Sequence, residues 1–138
     1  MKYFVILQHI MKKYKFIIAL GSNSHQQQLI GMACDELERL VPGISFTQML
    51  WTDPINMQST KFLNSIAWGE TSMLLNELQP LLKQLERNLG DTPELRSQGI
   101  VRIDLDLLLF DRQQLHQQDW QRPYIKQLLK EVGESLFL

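Results

Sequence analysis

Residues 100–110 read Ile100-Val101-Arg102-Ile103-Asp104-Leu105-Asp106-Leu107-Leu108-Leu109-Phe110, the most strand-like stretch of the chain. Its interior alternates apolar and charged residues, the period of a strand with one face toward a core. In a regular pleat Arg102, Asp104 and Asp106 share one face, while Ile103, Leu105 and Leu107 share the other. Two carboxylates side by side repel, and a cation removes that penalty. Mg2+ prefers carboxylate oxygens together with substrate phosphate oxygens. A polar face that is merely solvated fits the same pattern. So does a structural ion pair, because the Arg102 guanidinium can reach Asp104 and satisfy the carboxylates without metal.

The elements around this strand set its context. Lys15 to Leu20 is a compact apolar run that ends at Gly21-Ser22-Asn23, a buried strand entering a turn. Leu29, Met32, Ala33, Leu37 and Leu40 recur at helical spacing from about Gln26 until Pro42-Gly43. Ile44 to Trp51 reads as a second strand, broken by Thr52-Asp53-Pro54, and Phe62 to Trp68 as a third. A second helical stripe runs from Leu74 to Leu89 and stops at Gly90. Pro80 within it either kinks the helix or starts its main part. Asp91 to Gly99 reads as a polar loop, and a weak helix follows near Tyr124 to Val132. The order is βαββαβ. It predicts an α+β, ferredoxin-like fold, a four-stranded antiparallel sheet with two helices on one face.

The chain has 138 residues, 44% hydrophobic and 21% charged, which suits one domain with one core. Residues 1–10 read as an extension outside the fold, since Met11-Lys12-Lys13 resembles a second start, and 11–138 as a single domain. A formal net charge of −1 gives no global field toward nucleic acid or an anionic membrane. Cys34 stands alone, which excludes an internal disulfide and a cysteine-based zinc site. The N-terminal apolar run is too short for a signal-peptide core, so the expected location is the cytoplasm.

The order of motifs narrows the field. Ala19-Leu20-Gly21-Ser22-Asn23, then Thr52-Asp53-Pro54, Phe62-Leu63-Asn64, Leu85-Glu86 before Leu89-Gly90, and Gly99 leading into Asp104-Leu105-Asp106 stand in sequence over residues 14–112. Together they resemble the 6-hydroxymethyl-7,8-dihydropterin pyrophosphokinase family of folate synthesis. The resemblance implies an ATP-dependent transfer of a pyrophosphoryl group to the pterin hydroxymethyl oxygen, with two Mg2+ ions. It implies that Asp104 and Asp106 are the catalytic metal ligands bridging to ATP. Asn64 would bond the pterin ring, Thr52 and Pro54 would lie in the loop lining its pocket, and Gly21 would shape the turn beneath it. Glu86 would sit near the metal. Taken singly, Thr52-Asp53-Pro54 is an ordinary loop start, Gly21-Ser22-Asn23 an ordinary turn, and Glu86 a solvated helix residue.

The chain departs from the family pattern where phosphate is handled. The family glycine-proline-arginine run reads Gly99-Ile100-Val101 here, with Arg102 one residue late and so on the opposite face of a regular strand. The preceding loop, 91–98, carries Arg96 against Asp91 and Glu94 where the family places several basic residues. The C-terminal proline-histidine-proline run has at most a remnant in Arg122-Pro123-Tyr124, and His116 lies too early for it. These departures predict weakened or lost activity. A second hypothesis is therefore a non-catalytic relative that binds a pterin or a protein partner. A ferredoxin-like RNA-binding or regulatory module is a third. It finds no aromatic stacking set on the central strands and no basic surface signature.

Overall fold

The computed structural model describes residues 12–133 together with Lys2. The expected extension over residues 1–10 otherwise lies outside the described residues. The chain forms β1 (Tyr14–Ser22), α1 (Gln26–Leu40), β2 (Ser45–Phe46), β3 (Leu50–Thr52), β4 (Phe62–Thr71), α2 (Leu75–Asn88), α3 (Pro93–Ser97), β5 (Asp104–Phe110), β6 (Gln113–Gln114), a 3-10 turn (Asp119–Gln121) and α4 (Pro123–Leu129). The sheet runs β2-β4-β1-β5-β6, with β3 also paired to β4, and every pairing is antiparallel.

The architecture is α+β, but the sheet has six strands rather than the expected four. Two local events account for the difference. Thr47 interrupts the second strand: its Oγ1 accepts from Ile66 N at 2.9 Å, a place in the ladder that a backbone carbonyl would fill. The remaining pieces become β2 and β3, each paired to a different half of β4. After Phe110 the chain reverses through Asp111 at a φ of 58°, and Gln113–Gln114 returns beside Leu109–Phe110 as β6.

Helices cover both faces, not one. Leu29, Ile30, Ala33 and Leu37 of α1 join Leu78, Leu82 and Leu85 of α2 over Phe16, Ile18, Leu20, Leu105 and Leu107. On the opposite face Ile125 and Leu128 of α4 pack with Ile17, Ile66, Leu108 and Leu109. That second contact needs Leu108 and Leu109 to point the same way, and a bulge in β5 opposite Ile17 and Ile18 allows it. Met32, expected on the buried stripe, is 44% exposed because Ile30 takes that side of α1. Pro80 lies inside α2, so the helix runs through it rather than starting there. Gly90 ends the segment with a φ of 90°, as a C-terminal glycine should. No helix among the described residues is long and apolar enough to cross a membrane.

The decisive stretch is shorter as a strand than its sequence suggests: β5 begins at Asp104, and residues 100–103 lie outside the ladder. Ile100 N donates to Leu95 O at 2.9 Å, and the next three amides are taken by side chains from earlier in the chain. Asn23 Oδ1 accepts from Val101 N at 2.7 Å while its Nδ2 donates to Gly99 O at 2.8 Å. Asp91 Oδ1 accepts from Arg102 N at 2.9 Å. The polar loop expected before this stretch contains α3, whose N-cap Thr92 accepts from Leu95 N at 3.2 Å.

Candidate active site

The register of the central strands assembles the site. Gly21 of β1 stands opposite Asn64 of β4 on one side and Asp104 of β5 on the other. One pair of residues along, Ala19 stands opposite Ile66 and Asp106. All of these lie on the face that α4 covers, because Leu20, Leu63 and Leu105 between them enter the opposite core. The row is therefore polar at its flanks and nearly bare in the middle. A Cβ on Gly21 would sit 3.4 Å from Asn64 Oδ1, so glycine at this point keeps the floor open.

Two adjoining clefts of about 70 and 170 Å³ rise from this floor and share Phe62, Asn64, Asp104, Asp106, Asp119 and Tyr124. Gly21 borders the first cleft and Thr52 the second. Asn64 is buried and oriented: its Nδ2 donates to Thr52 Oγ1 at 2.8 Å and to Leu50 O at 3.2 Å. Five of the six expected substrate and metal residues, Gly21, Thr52, Asn64, Asp104 and Asp106, thus converge on the clefts. Pro54 does not line the clefts; its neighbours Asp53 and Ile55 do. A larger surface hollow, about 800 Å³, opens at the other end of β5 around Tyr14 and Phe110 and contains none of them.

Beside the floor lies a charge network. Arg96 of α3 donates through Nε to Asp91 Oδ2 at 2.6 Å and through Nη2 to Asp104 Oδ1 at 3.1 Å and Ile103 O at 3.2 Å. Lys83 of α2 bonds Glu86 at 3.2 Å and stands 3.6 Å from Asp106. Glu86 accepts from Leu105 N at 2.7 Å, holding the edge of β5 that β6 leaves uncovered. Burial, and then the charge of Asp104, push the Asp106 carboxyl up to about 7. Burial works against the Lys83 ammonium, but Glu86 and Asp106 outweigh it and hold its pKa up. Burial likewise opposes the Arg96 guanidinium, and Asp104 and Asp91 more than reverse that.

The guanidinium on the aspartates is therefore Arg96, not Arg102. Outside the ladder, Arg102 turns away and donates Nε to Leu89 O at 2.9 Å. Sequence reasoning also missed Lys83, Asp119 and Tyr124. Tyr124 and Ile125, from the start of α4, border the first cleft, and Arg122 borders the second. The Arg122-Pro123-Tyr124 run was the available signal for these.

A pair of carboxylates, one of them raised in pKa by burial and then by its neighbour's charge, fits a hard divalent cation. Asp104 and Asp106 supply suitable oxygens for Mg2+, with Arg96 as a competitor for Asp104. Glu86, Asp91, Asp104, Asp106 and Asp119 also outnumber Lys83, Arg96 and Arg122, so the local balance favours a cation.

Comparison with known proteins agrees with this geometry. The family model for 7,8-dihydro-6-hydroxymethylpterin-pyrophosphokinase (HPPK) matches residues 17–134. The chain belongs to the HPPK family. A 2-amino-4-hydroxy-6-hydroxymethyldihydropteridine pyrophosphokinase of Bacillus subtilis is 30% identical over 86% of this chain and 78% of its own length. A folate synthesis bifunctional protein of Arabidopsis thaliana is 28% identical over 79% of this chain, which spans only 25% of that protein. In this HPPK chain the matched region takes in the whole row from Gly21 to Asp106 and the α4 segment that faces it.

Proposed function

We propose that this HPPK chain binds 6-hydroxymethyl-7,8-dihydropterin in the cleft over Gly21 and Asn64 and transfers a pyrophosphoryl group to it from ATP at a reduced rate. The observation that carries the reading is the row Asn64–Gly21–Asp104, three strands wide, with Asp106 one step along on the same face. Asn64 offers a fixed amide to the edge of a heteroaromatic ring, and Phe62 and Tyr124 offer ring faces. A hollow of about 470 Å³ between α2 and β5, lined by Leu82, Lys83, Leu105, Leu107 and His116, reaches Asp106 from the other side. It suits the nucleotide, whose phosphates would then lie between the two hollows. Mg2+ held by Asp104 and Asp106 would supply charge neutralisation for those phosphates. The pterin hydroxyl oxygen attacks the β-phosphorus, the bond from that phosphorus to the α-phosphate oxygen breaks, and AMP leaves.

The reduced rate follows from the cations. Transition-state charge on the phosphates needs donors free to meet it. Lys83, Arg96 and Arg122 are each already engaged by a carboxylate of the chain itself. One observation favours a second reading, pterin binding without transfer: Arg96 already sits on Asp104.

The deciding experiment measures pterin binding by calorimetry and AMP release from ATP plus pterin with and without Mg2+. The expected result is pterin binding that Asn64→Ala weakens by about 1–3 kcal/mol, with slow, Mg2+-dependent AMP release. AMP release no faster than in Asp104→Asn would leave the binding-only reading. Absence of pterin binding would sink both.

A further inference from the structure

Asp106, His116 and Asp119 each bring a ligand atom to within 4.8 Å of the others. Asp106 projects from β5. The other two come from the segment after β6, where Asp119 N donates to His116 O at 2.9 Å and Trp120 Nε1 donates to Leu115 O at 2.9 Å. His116 and Asp119 are therefore presented as one unit, facing Asp106 from across the cleft. We infer that these three residues form a divalent transition-metal site, distinct in its donors from the Asp104–Asp106 pair.

Four features support this. First, an imidazole nitrogen with two carboxylate oxygens is a mixed donor set that suits Mn2+, Co2+ or Zn2+ better than Mg2+. Second, neither carboxylate is saturated. Arg122 Nε takes one oxygen of Asp119 at 3.0 Å, and Lys83 stands 3.6 Å from Asp106, beyond a good hydrogen bond. Third, Asp106 Oδ1 stands 4.0 Å from His116 Nε2, while one oxygen of Asp104 is taken by Arg96 at 3.1 Å. Fourth, His116 and Asp119 line a hollow of about 350 Å³ with Gln117 and Gln118, so further coordination positions on their side stay accessible to water or a phosphate oxygen. A metal about 2.1 Å from each donor needs donors about 3–3.5 Å apart. Side-chain rotation supplies that contraction. The inference shares Asp106 with the proposed pyrophosphokinase site, but it needs neither ATP nor pterin.

The test is calorimetric titration of the untagged, chelator-treated full chain with Co2+, Zn2+, Mn2+ and Mg2+, each alone, with the visible bands of Co2+ as a second readout. Co2+ is expected to bind one to one, at least about tenfold more tightly than Mg2+. His116→Asn suits the left-handed φ of 51° at this position and removes the imidazole. It should weaken Co2+ by about tenfold or more while leaving Mg2+ unchanged, and Asp119→Asn should weaken Co2+ as much. Asp104→Asn should leave Co2+ affinity nearly unchanged, with thermal melts showing each variant folded. Equal Co2+ affinity in wild type and His116→Asn overturns the inference. So does an Asp104→Asn loss as deep as that of Asp119→Asn, which would put the ion on the strand pair.

Discussion

At the scale of single residues, Asp106 is where charge, burial and neighbours conflict. Its folded pKa, about 7, lies above the ordinary value of 3.8. A carboxyl raised in this way favours the folded state while protonated, and that contribution is lost as pH rises from about 4 through 7. Asp106→Asn should therefore melt several degrees above the wild type at pH 8 in chelator, with the gap shrinking toward pH 5. A gap that is constant with pH would show that Asp106 is not the titrating group. Arg96 presents the complementary case. It satisfies Asp91, which is only 6% exposed, and it also competes for Asp104. Arg96→Ala should lower stability by about 1–3 kcal/mol and, by freeing Asp104, tighten Mg2+. Calorimetry on the variant checks the second effect separately from the first.

At the scale of elements, the junction between α2 and β5 depends on one glycine. A Cβ on Gly90 would meet Arg102 Nε at 2.7 Å, and its φ of 90° is poorly suited to any side chain. Gly90→Ala should cost about 1–2 kcal/mol or more. Gly31, inside α1 with nothing within 4 Å of its Cβ position, should behave oppositely, gaining about 0.5–1 kcal/mol as alanine. Denaturant melts of the two variants should bracket the wild type. The elements themselves were largely legible: periodicity places α1, α2, β1 and β4, and the strand pleat puts Asp104 and Asp106 on one face. The start of β5 was not legible. Asn23 and Asp91 bind residues 99–103 from far along the chain, and no local period reports a side chain capping a distant amide. Arg102 was misjudged for that reason, and Arg96, though named in its loop, could not be placed on Asp104 because a lone arginine among acids gives no sign of which acid it meets.

At the scale of the whole molecule, the sheet has a core on each face, and the site belongs to the smaller one. Leu128 of α4 is fully buried against Ile17, Ile66, Leu108 and Leu109. Leu128→Ala should lose about 2–4 kcal/mol and, because α4 also places Tyr124 at the cleft, weaken pterin as well. Leu82→Ala, on the opposite core, should lose similar stability with less effect on ligand. Equal ligand losses in the two would show that α4 does not position the site. The second core was only partly legible, since its apolar residues in α4 are few and the bulge that turns Leu108 and Leu109 together leaves no mark on a period of two.

The central position of β1 bears on the order in which the molecule can be completed. β1 is made early, pairs on one flank with β4, and must wait for residues 104–110 before the other flank is filled. While a nascent chain lengthens through α2 and α3, the apolar strand at its middle has an open edge, with Ile17 still lacking its cover from Ile125 and Leu128. Pairing across so long an interval is slow and exposes the edge to other chains. The row proposed to bind substrate spans β4, β1 and β5 and so comes into being only with that last closure: a partly synthesised molecule has Asn64 and Gly21 in place without Asp104 and Asp106 beside them.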